Sequence, residues 1–189
     1  MMEDREREHW LSITDDPEWR RNHICDPNIS LAETLAALEF PYVPQTILEI
    51  GCGFGRLTTE MARIHPQAQI TGIDINPLIL PAATDRITYR CQDTLDGLPP
   101  QDAIYSVALF QHLTSAQKRA YIQAAADLLT PHGSLRIQFI EGERDNFCDH
   151  WVSCETMRWW FTGVGLRIVA LDRGLAHPQW TWITGMPTV

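Results

Sequence analysis

Residues Ile47-Leu48-Glu49-Ile50-Gly51-Cys52-Gly53-Phe54-Gly55-Arg56-Leu57 set three glycines within five positions, between an apolar run and a helical stripe, and they constrain the fold more than any other stretch. Ile47, Leu48 and Ile50 have the apolar, β-branched character of a strand buried on both faces. Gly51, Gly53 and Gly55 then permit a tight turn and close approach of backbone to a ligand. Leu57, Met61 and Ile64 follow at i, i+4 and i+7, the stripe of a helix that packs back on a sheet, and Pro66 ends it. A ligand-free glycine connection is the plainer reading. The acid two residues before Gly51 argues against it.

Helical and extended patterns alternate on either side of this turn. Ser30-Leu31-Ala32-Glu33 is a capping-box pattern with Leu31, Leu35 and Leu38 at helical spacing, which predicts a helix over 31–39 stopped by Pro41 and Pro44. Strands are expected at 68–75, 87–91, 103–109 and 135–140, and the last two are joined through a helix opened by a second capping pattern, Thr114-Ser115-Ala116-Gln117. Pro131-His132-Gly133 reads as a turn, Cys154–Phe161 as a helix, and 167–171 with 180–184 as two late strands. Such alternation builds a mainly parallel sheet covered on both faces, with ligands at the carboxyl ends of the strands. The last two strands, joined by a short loop with Gly174 and Pro178, must instead be an antiparallel hairpin.

A length of 189 residues with 44% hydrophobic content fits one globular domain, with residues 1–30 as a short helical lid or appendage and 31–189 as the main domain. The formal net charge of -9 disfavours a surface for nucleic acid. No apolar run suits a membrane, and Met1–Glu8 lacks the layout of a signal peptide, so a cytoplasmic location is expected. Cys25, Cys52, Cys91, Cys148 and Cys154 are odd in number and scattered, which argues against a disulfide framework.

Two nucleoside cofactors could use a glycine turn followed about twenty residues later by an acid. A dinucleotide turn needs Gly-x-Gly-x-x-Gly, and Arg56 occupies the last position of that pattern. Glu49 would repel a pyrophosphate but suits a cationic head group. The run Leu48-Glu49-Ile50-Gly51-Cys52-Gly53-Phe54-Gly55 resembles the first motif of the class I S-adenosylmethionine-dependent methyltransferases, an apolar strand, an acid and Gly-x-Gly-x-Gly. The resemblance covers about residues 45–140 and loosely the terminal hairpin, and it is absent from the first forty residues. It implies a Rossmann-like, seven-stranded, mainly parallel α/β sheet with helices on both faces and an antiparallel carboxyl-terminal hairpin.

It also implies roles. Asp74 would hydrogen-bond both ribose hydroxyls and Ile75 would pack on the adenine. Asp93 would accept from the adenine amino group, with the Thr94 backbone beside it. Glu49 would read the methionine ammonium, near the backbone of Gly51, Cys52, Gly53 and Gly55, and the Phe110 carbonyl would contact the same ammonium. The cofactor would be S-adenosyl-L-methionine.

Methyl transfer at an activated sulfonium needs no metal, and none is expected; Cys148-Asp149-His150 with Cys154 and Cys25 lacks a standard zinc spacing. A hydroxyl or thiol acceptor profits from a general base, for which His112, Glu141, Asp145, Asp149 and His150 lie near the strand ends; His150 is the favoured candidate and His112 the less direct one. His112-Leu113 also has a scaffold reading, because such a pair is common in the family at this point. Phe110-Gln111-His112-Leu113 is not the Asn/Asp-Pro-Pro-aromatic motif of enzymes that methylate amino groups of DNA bases. A compact chain with a short amino-terminal addition and no large insertion favours a small-molecule acceptor, methylated at a hydroxyl, amine or thiol. A non-catalytic cofactor-binding subunit, or an enzyme acting on a protein or metalloid, stands as the alternative.

Overall fold

Thr46–Ile50 forms strand β1, in which Ile47, Leu48 and Ile50 are fully buried, so this strand takes the middle of a sheet. The computed structural model describes residues 4–14 and 29–188. Before β1 come helices α1 (Asp4–Leu11) and α2 (Leu31–Ala37). After it follow α3 (Arg56–Ile64), β2 (Gln69–Asp74), β3 (Ile87–Cys91), β4 (Gln101–Ser106), a 3-10 turn (Phe110–His112), α4 (Ser115–Leu128) and β5 (Leu129–Ile140). Two-residue strands β6 (Asp145–Asn146) and β7 (Asp149–His150) precede α5 (Cys154–Gly163), β8 (Leu166–Arg173) and β9 (Trp180–Pro187).

The large sheet has seven strands in the order β3-β2-β1-β4-β5-β9-β8. Pairings from β3 through β5 are parallel, and β9 is antiparallel to both β5 and β8. This is the expected α/β architecture with its carboxyl-terminal hairpin. The two-residue side-chain period of β1 divides the core. Leu48 and Ile50 pack with Ile122 and Ala125 of α4 and Met157 and Phe161 of α5. Ile47 packs with Leu38, and with Met61 and Ala62 of α3, on the opposite face. No helix among the described residues is long and apolar enough to cross a membrane.

Element ends depart from the periodicity where tertiary contacts intervene. Helix α2 stops at Ala37, short of the expected 39, with Leu38 as its C-cap. Strand β4 stops at Ser106 instead of 109, because Ala108 takes a left-handed φ of 57° and its N–H donates to Gln138 Oε1 at 2.7 Å. That bend lays Leu109 over the glycine turn. Strand β5 begins at Leu129, not 135, and absorbs the expected turn at 131–133 as an irregularity: Leu129 pairs with Gln101 and Ser134 with Ala103. Of the expected helical appendage, α1 is present, and residues 15–28 lie outside the described residues.

Candidate active site

The glycine turn lies at the carboxyl ends of β1 and β2. Gly51 has φ 76°, and a Cβ there would meet Leu109 Cδ2 at 2.8 Å, so the bend after β4 requires glycine on both conformational and steric grounds. Gly55, with φ 68°, is the N-cap of α3, and a Cβ on it would strike the Tyr89 hydroxyl. The Gly53 N–H donates to Asp74 Oδ2 at 2.9 Å, and the Asn76 N–H donates to Asp74 Oδ1 at 3.0 Å. Burial raises the Asp74 pKa, partly offset by these backbone donors.

Glu49 is buried beneath the turn. Its Oε2 accepts from the Thr58 hydroxyl of α3 and, at 2.9 Å, from the Tyr105 hydroxyl of β4. Burial pushes its pKa up to about 8 despite those two donors, the state of a carboxyl that lacks a cation. Tyr105 reaches it because the parallel register sets Glu49 opposite Tyr105.

A cavity of about 570 Å³ opens above these groups. Glu49, Gly51 to Phe54, Asp74 and Ile75 line one part of it. Leu109, Gln111, His112, Ile140 and Trp180, from the ends of β4 and β5 and the start of β9, line another, with Trp10 and Ile13 from the amino-terminal segment. Asn76 Nδ2 ties this segment down by donating to the Trp10 and Ile13 carbonyls, both at 2.8 Å.

A directional hydrogen-bond chain sets the state of His112. The Ala108 N–H donates to Gln138 Oε1, which turns Gln138 Nε2 toward Gln111 Oε1 at 3.3 Å. Gln111 Nε2 in turn lies 3.2 Å from His112 Nε2, and His112 Nδ1 contacts the Cys148 carbonyl. A carbonyl only accepts and an amide nitrogen only donates, so the proton sits on Nδ1 and Nε2 presents its lone pair. Burial also lowers the His112 pKa, which keeps the ring neutral.

His150 is held differently. Its Nε2 lies 2.8 Å from Glu6 Oε1 and its Nδ1 contacts Asp145 Oδ1. Burial alone would lower its pKa, but the two carboxylates prevail and raise it. Both ring nitrogens face carboxylate oxygens, which only accept, so both donate and the ring is a clamped imidazolium. It does not line the cavity. The Lys118 ammonium is fully buried nearby and donates to the Leu113 and His150 carbonyls, and burial brings its pKa down to about 8. Among the described residues, no three His, Cys, Asp or Glu side chains are grouped to hold a metal ion.

A family model described as a methyltransferase domain matches residues 47–133. Over 82 residues the chain is 40% identical to the malonyl-(acyl-carrier protein) O-methyltransferase of Anoxybacillus flavithermus, covering 40% of this chain and 32% of that protein. Residues 47–133 carry a methyltransferase domain. The chain is 31% identical over 135 residues to the trans-aconitate 2-methyltransferase of Streptomyces avermitilis, covering 65% of this chain and 49% of that protein. The chain spans only 32% and 49% of the length of these two curated methyltransferases. The solved DhpI-SAH complex superposes over 97% of this chain and 93% of its own with a TM-score of 0.71 at 17% identity, a likeness of fold.

Against this methyltransferase frame, the cavity gathers Glu49, Gly51, Cys52, Gly53, Asp74 and Ile75 as expected from the sequence. It does not gather four others. Gly55 is buried behind the turn as a helix cap. The Phe110 side chain is in the core and its carbonyl accepts the Leu113 N–H at 3.3 Å inside the 3-10 turn. Asp93 faces outward, 3.9 Å from Arg7, and Gln92 lines the cavity where Asp93 and Thr94 were expected. Thr58, Tyr105, Gln111 and Gln138 were missed. Each is a polar residue whose role follows from register or packing, with no local pattern to mark it.

Proposed function

We propose that this protein is an S-adenosylmethionine-dependent methyltransferase that methylates a hydroxyl group of a small molecule. The observation that carries this reading is one cavity lined by Glu49, Asp74 and His112, whose Nε2 lone pair meets only the Gln111 amide among the described residues. The residues fit the cofactor: Glu49 is a buried carboxyl without a cation, Asp74 borders the cavity, and the glycine turn admits close backbone approach. When bound, the cofactor supplies a methyl group on a cationic sulfur.

Glu49 would hold the ammonium of its methionine part, Asp74 the ribose hydroxyls, and Ile75 the adenine. His112 Nε2 would take the acceptor's hydroxyl proton after that hydroxyl displaces the Gln111 amide, which now occupies the lone pair. Ile140, Trp180, Trp10 and Ile13 would pack the acceptor and exclude water. The general-base assignment passes from His150 to His112, since both His150 nitrogens are committed to carboxylates outside the cavity.

In this reading residues 1–30 form a lid and 31–189 the catalytic domain, supported by the position of Trp10 and Ile13 on the cavity wall. A cytoplasmic location is part of the same reading, supported by the free thiols of Cys52, Cys91, Cys148 and Cys154. Calorimetric titration with S-adenosylmethionine and S-adenosylhomocysteine tests the cofactor, and release of S-adenosylhomocysteine with a panel of hydroxylated, carboxylated and amino acceptors tests the reaction. Absence of binding would sink the proposal; binding without turnover on any acceptor would move it to a binding subunit.

A further inference from the structure

Cys148 hydrogen-bonds into both the Glu6–His150 pair and the His112 chain. Among the described residues it is one of three non-glycines with positive φ, at 61°, in the turn between β6 and β7. Its N–H donates to Glu6 Oε1 at 3.1 Å, and its carbonyl receives the His112 Nδ1 proton. A left-handed conformation at a residue with a Cβ persists only where its surroundings impose it. Here the imposing group is the Glu6 carboxylate of α1, only 3% exposed, which accepts from both the Cys148 N–H and His150 Nε2 on the same oxygen. The other oxygen, Oε2, is buried without a hydrogen-bond partner among the described residues. Glu6 therefore depends on the His150 charge, which Asp145 supports from the far side of the ring.

The same helix carries Trp10, whose ring lies 4.8 Å from that of His112. Docking of α1 thus touches the base twice, once through the indole and once through the Cys148 peptide.

We propose that Glu6 is a positioning residue for the His112 base: clamped by His150, its carboxylate holds Cys148 in the left-handed conformation from which its carbonyl fixes the His112 proton on Nδ1. Closure of α1 over the cavity and readiness of the base are then a single event. Without the Glu6 charge, the turn relaxes toward negative φ, the Cys148 carbonyl rotates away, and the His112 proton distributes between its two nitrogens. The inference rests on the assignment of His112 as base, but the tautomer it concerns is observable without turnover.

The test uses the full chain with 15N-labelled histidine. In the wild type the His112 nitrogens should show one tautomer, protonated at Nδ1, and peptides from residues 4–14 should be protected from hydrogen exchange. In Glu6→Gln the tautomers should mix and exchange in 4–14 should rise by about tenfold or more, with protection elsewhere retained. Asp145→Asn, at a side chain 89% exposed, should give the same changes in weaker form and guards against a folding failure of the Glu6 variant. Adding Cys148→Gly to Glu6→Gln should restore the Nδ1 tautomer, because glycine adopts positive φ unaided. A folded Glu6→Gln or Asp145→Asn protein with an unchanged His112 tautomer and unchanged exchange in 4–14 would overturn the proposal, as would failure of the glycine to restore the tautomer. S-adenosylhomocysteine binding, measured in parallel, should be present in the wild type; its absence would overturn the cofactor reading while the tautomer still decides this one.

Discussion

At the scale of the residue, the site is a matter of which atoms carry protons. Glu49, raised to about 8, keeps its proton at neutral pH in the ligand-free protein, and a cationic ligand has to displace it. Affinity for S-adenosylmethionine should therefore rise with pH, by up to about tenfold per unit below pH 8, and level off above it. Glu49→Gln should bind weakly and lose that slope, and calorimetry across the range checks both. The stability effect has the opposite sign. A folded pKa above the ordinary 4.5 means the folded chain holds a proton the unfolded chain has released, so the Glu49 contribution is present below 4.5 and lost as pH climbs through about 8. Denaturation of wild type against Glu49→Gln should show this difference. For His112, whose pKa burial depresses below 6.5, turnover should fall only on the acid side of that value. His112→Gln should lower kcat by about 10²- to 10⁴-fold while leaving S-adenosylhomocysteine affinity unchanged.

At the scale of the element, local chemistry and tertiary contact divide the work. Helix α4 starts where the Thr114 and Gln117 pattern predicts, with Gln117 Oε1 accepting the Thr114 N–H at 2.8 Å and Thr114 Oγ1 accepting the Gln117 N–H at 3.4 Å. Thr114→Ala should cost about 1 kcal/mol by chemical denaturation. Such ends are legible because donor and acceptor lie within one turn of each other. The ends of β4 and β5 are not, because Ala108 bends to reach Gln138 thirty residues away and the Pro131 turn is overridden by pairing with Gln101. Helix α1 is the most conditional element. Glu6 and Asp145 hold the His150 ring, Lys118, Asp149, Arg144 and His112 lie around it, and Cys148 is bonded to Glu6. His150 has a raised pKa, so its share of α1 docking is present at low pH and lost as pH rises through that value. Exchange in 4–14, corrected for intrinsic rates, should increase over that interval and stay flat in His150→Gln.

At the scale of the whole molecule, the sheet brings one edge of five strands under a single cavity, so a ligand that fills it couples β2 to β9. Saturation with S-adenosylhomocysteine at about a hundred times its Kd should add about 2.7 kcal/mol to the unfolding free energy, read as a rise in Tm. Buried Arg136 ties the outer strands into the same unit: its Nη2 lies 3.0 Å from Asp172 of β8, and its guanidinium stacks 5.3 Å from the Trp182 ring of β9. The sequence by itself determined the alternation of strands and helices, the antiparallel hairpin and the glycine turn that sets Glu49 and Asp74 beside one cavity. Hydrophobic period, capping pairs and closely spaced glycines are properties of neighbours along the chain, and they act before any distant contact forms. The tertiary structure decided which histidine faces the cavity, what pairs with Glu49, and which way the protons point along Gln138, Gln111 and His112. Those depend on strand register and on loops that meet across more than a hundred residues, as Glu6 meets His150, and no local pattern encodes which polar group a buried donor will find.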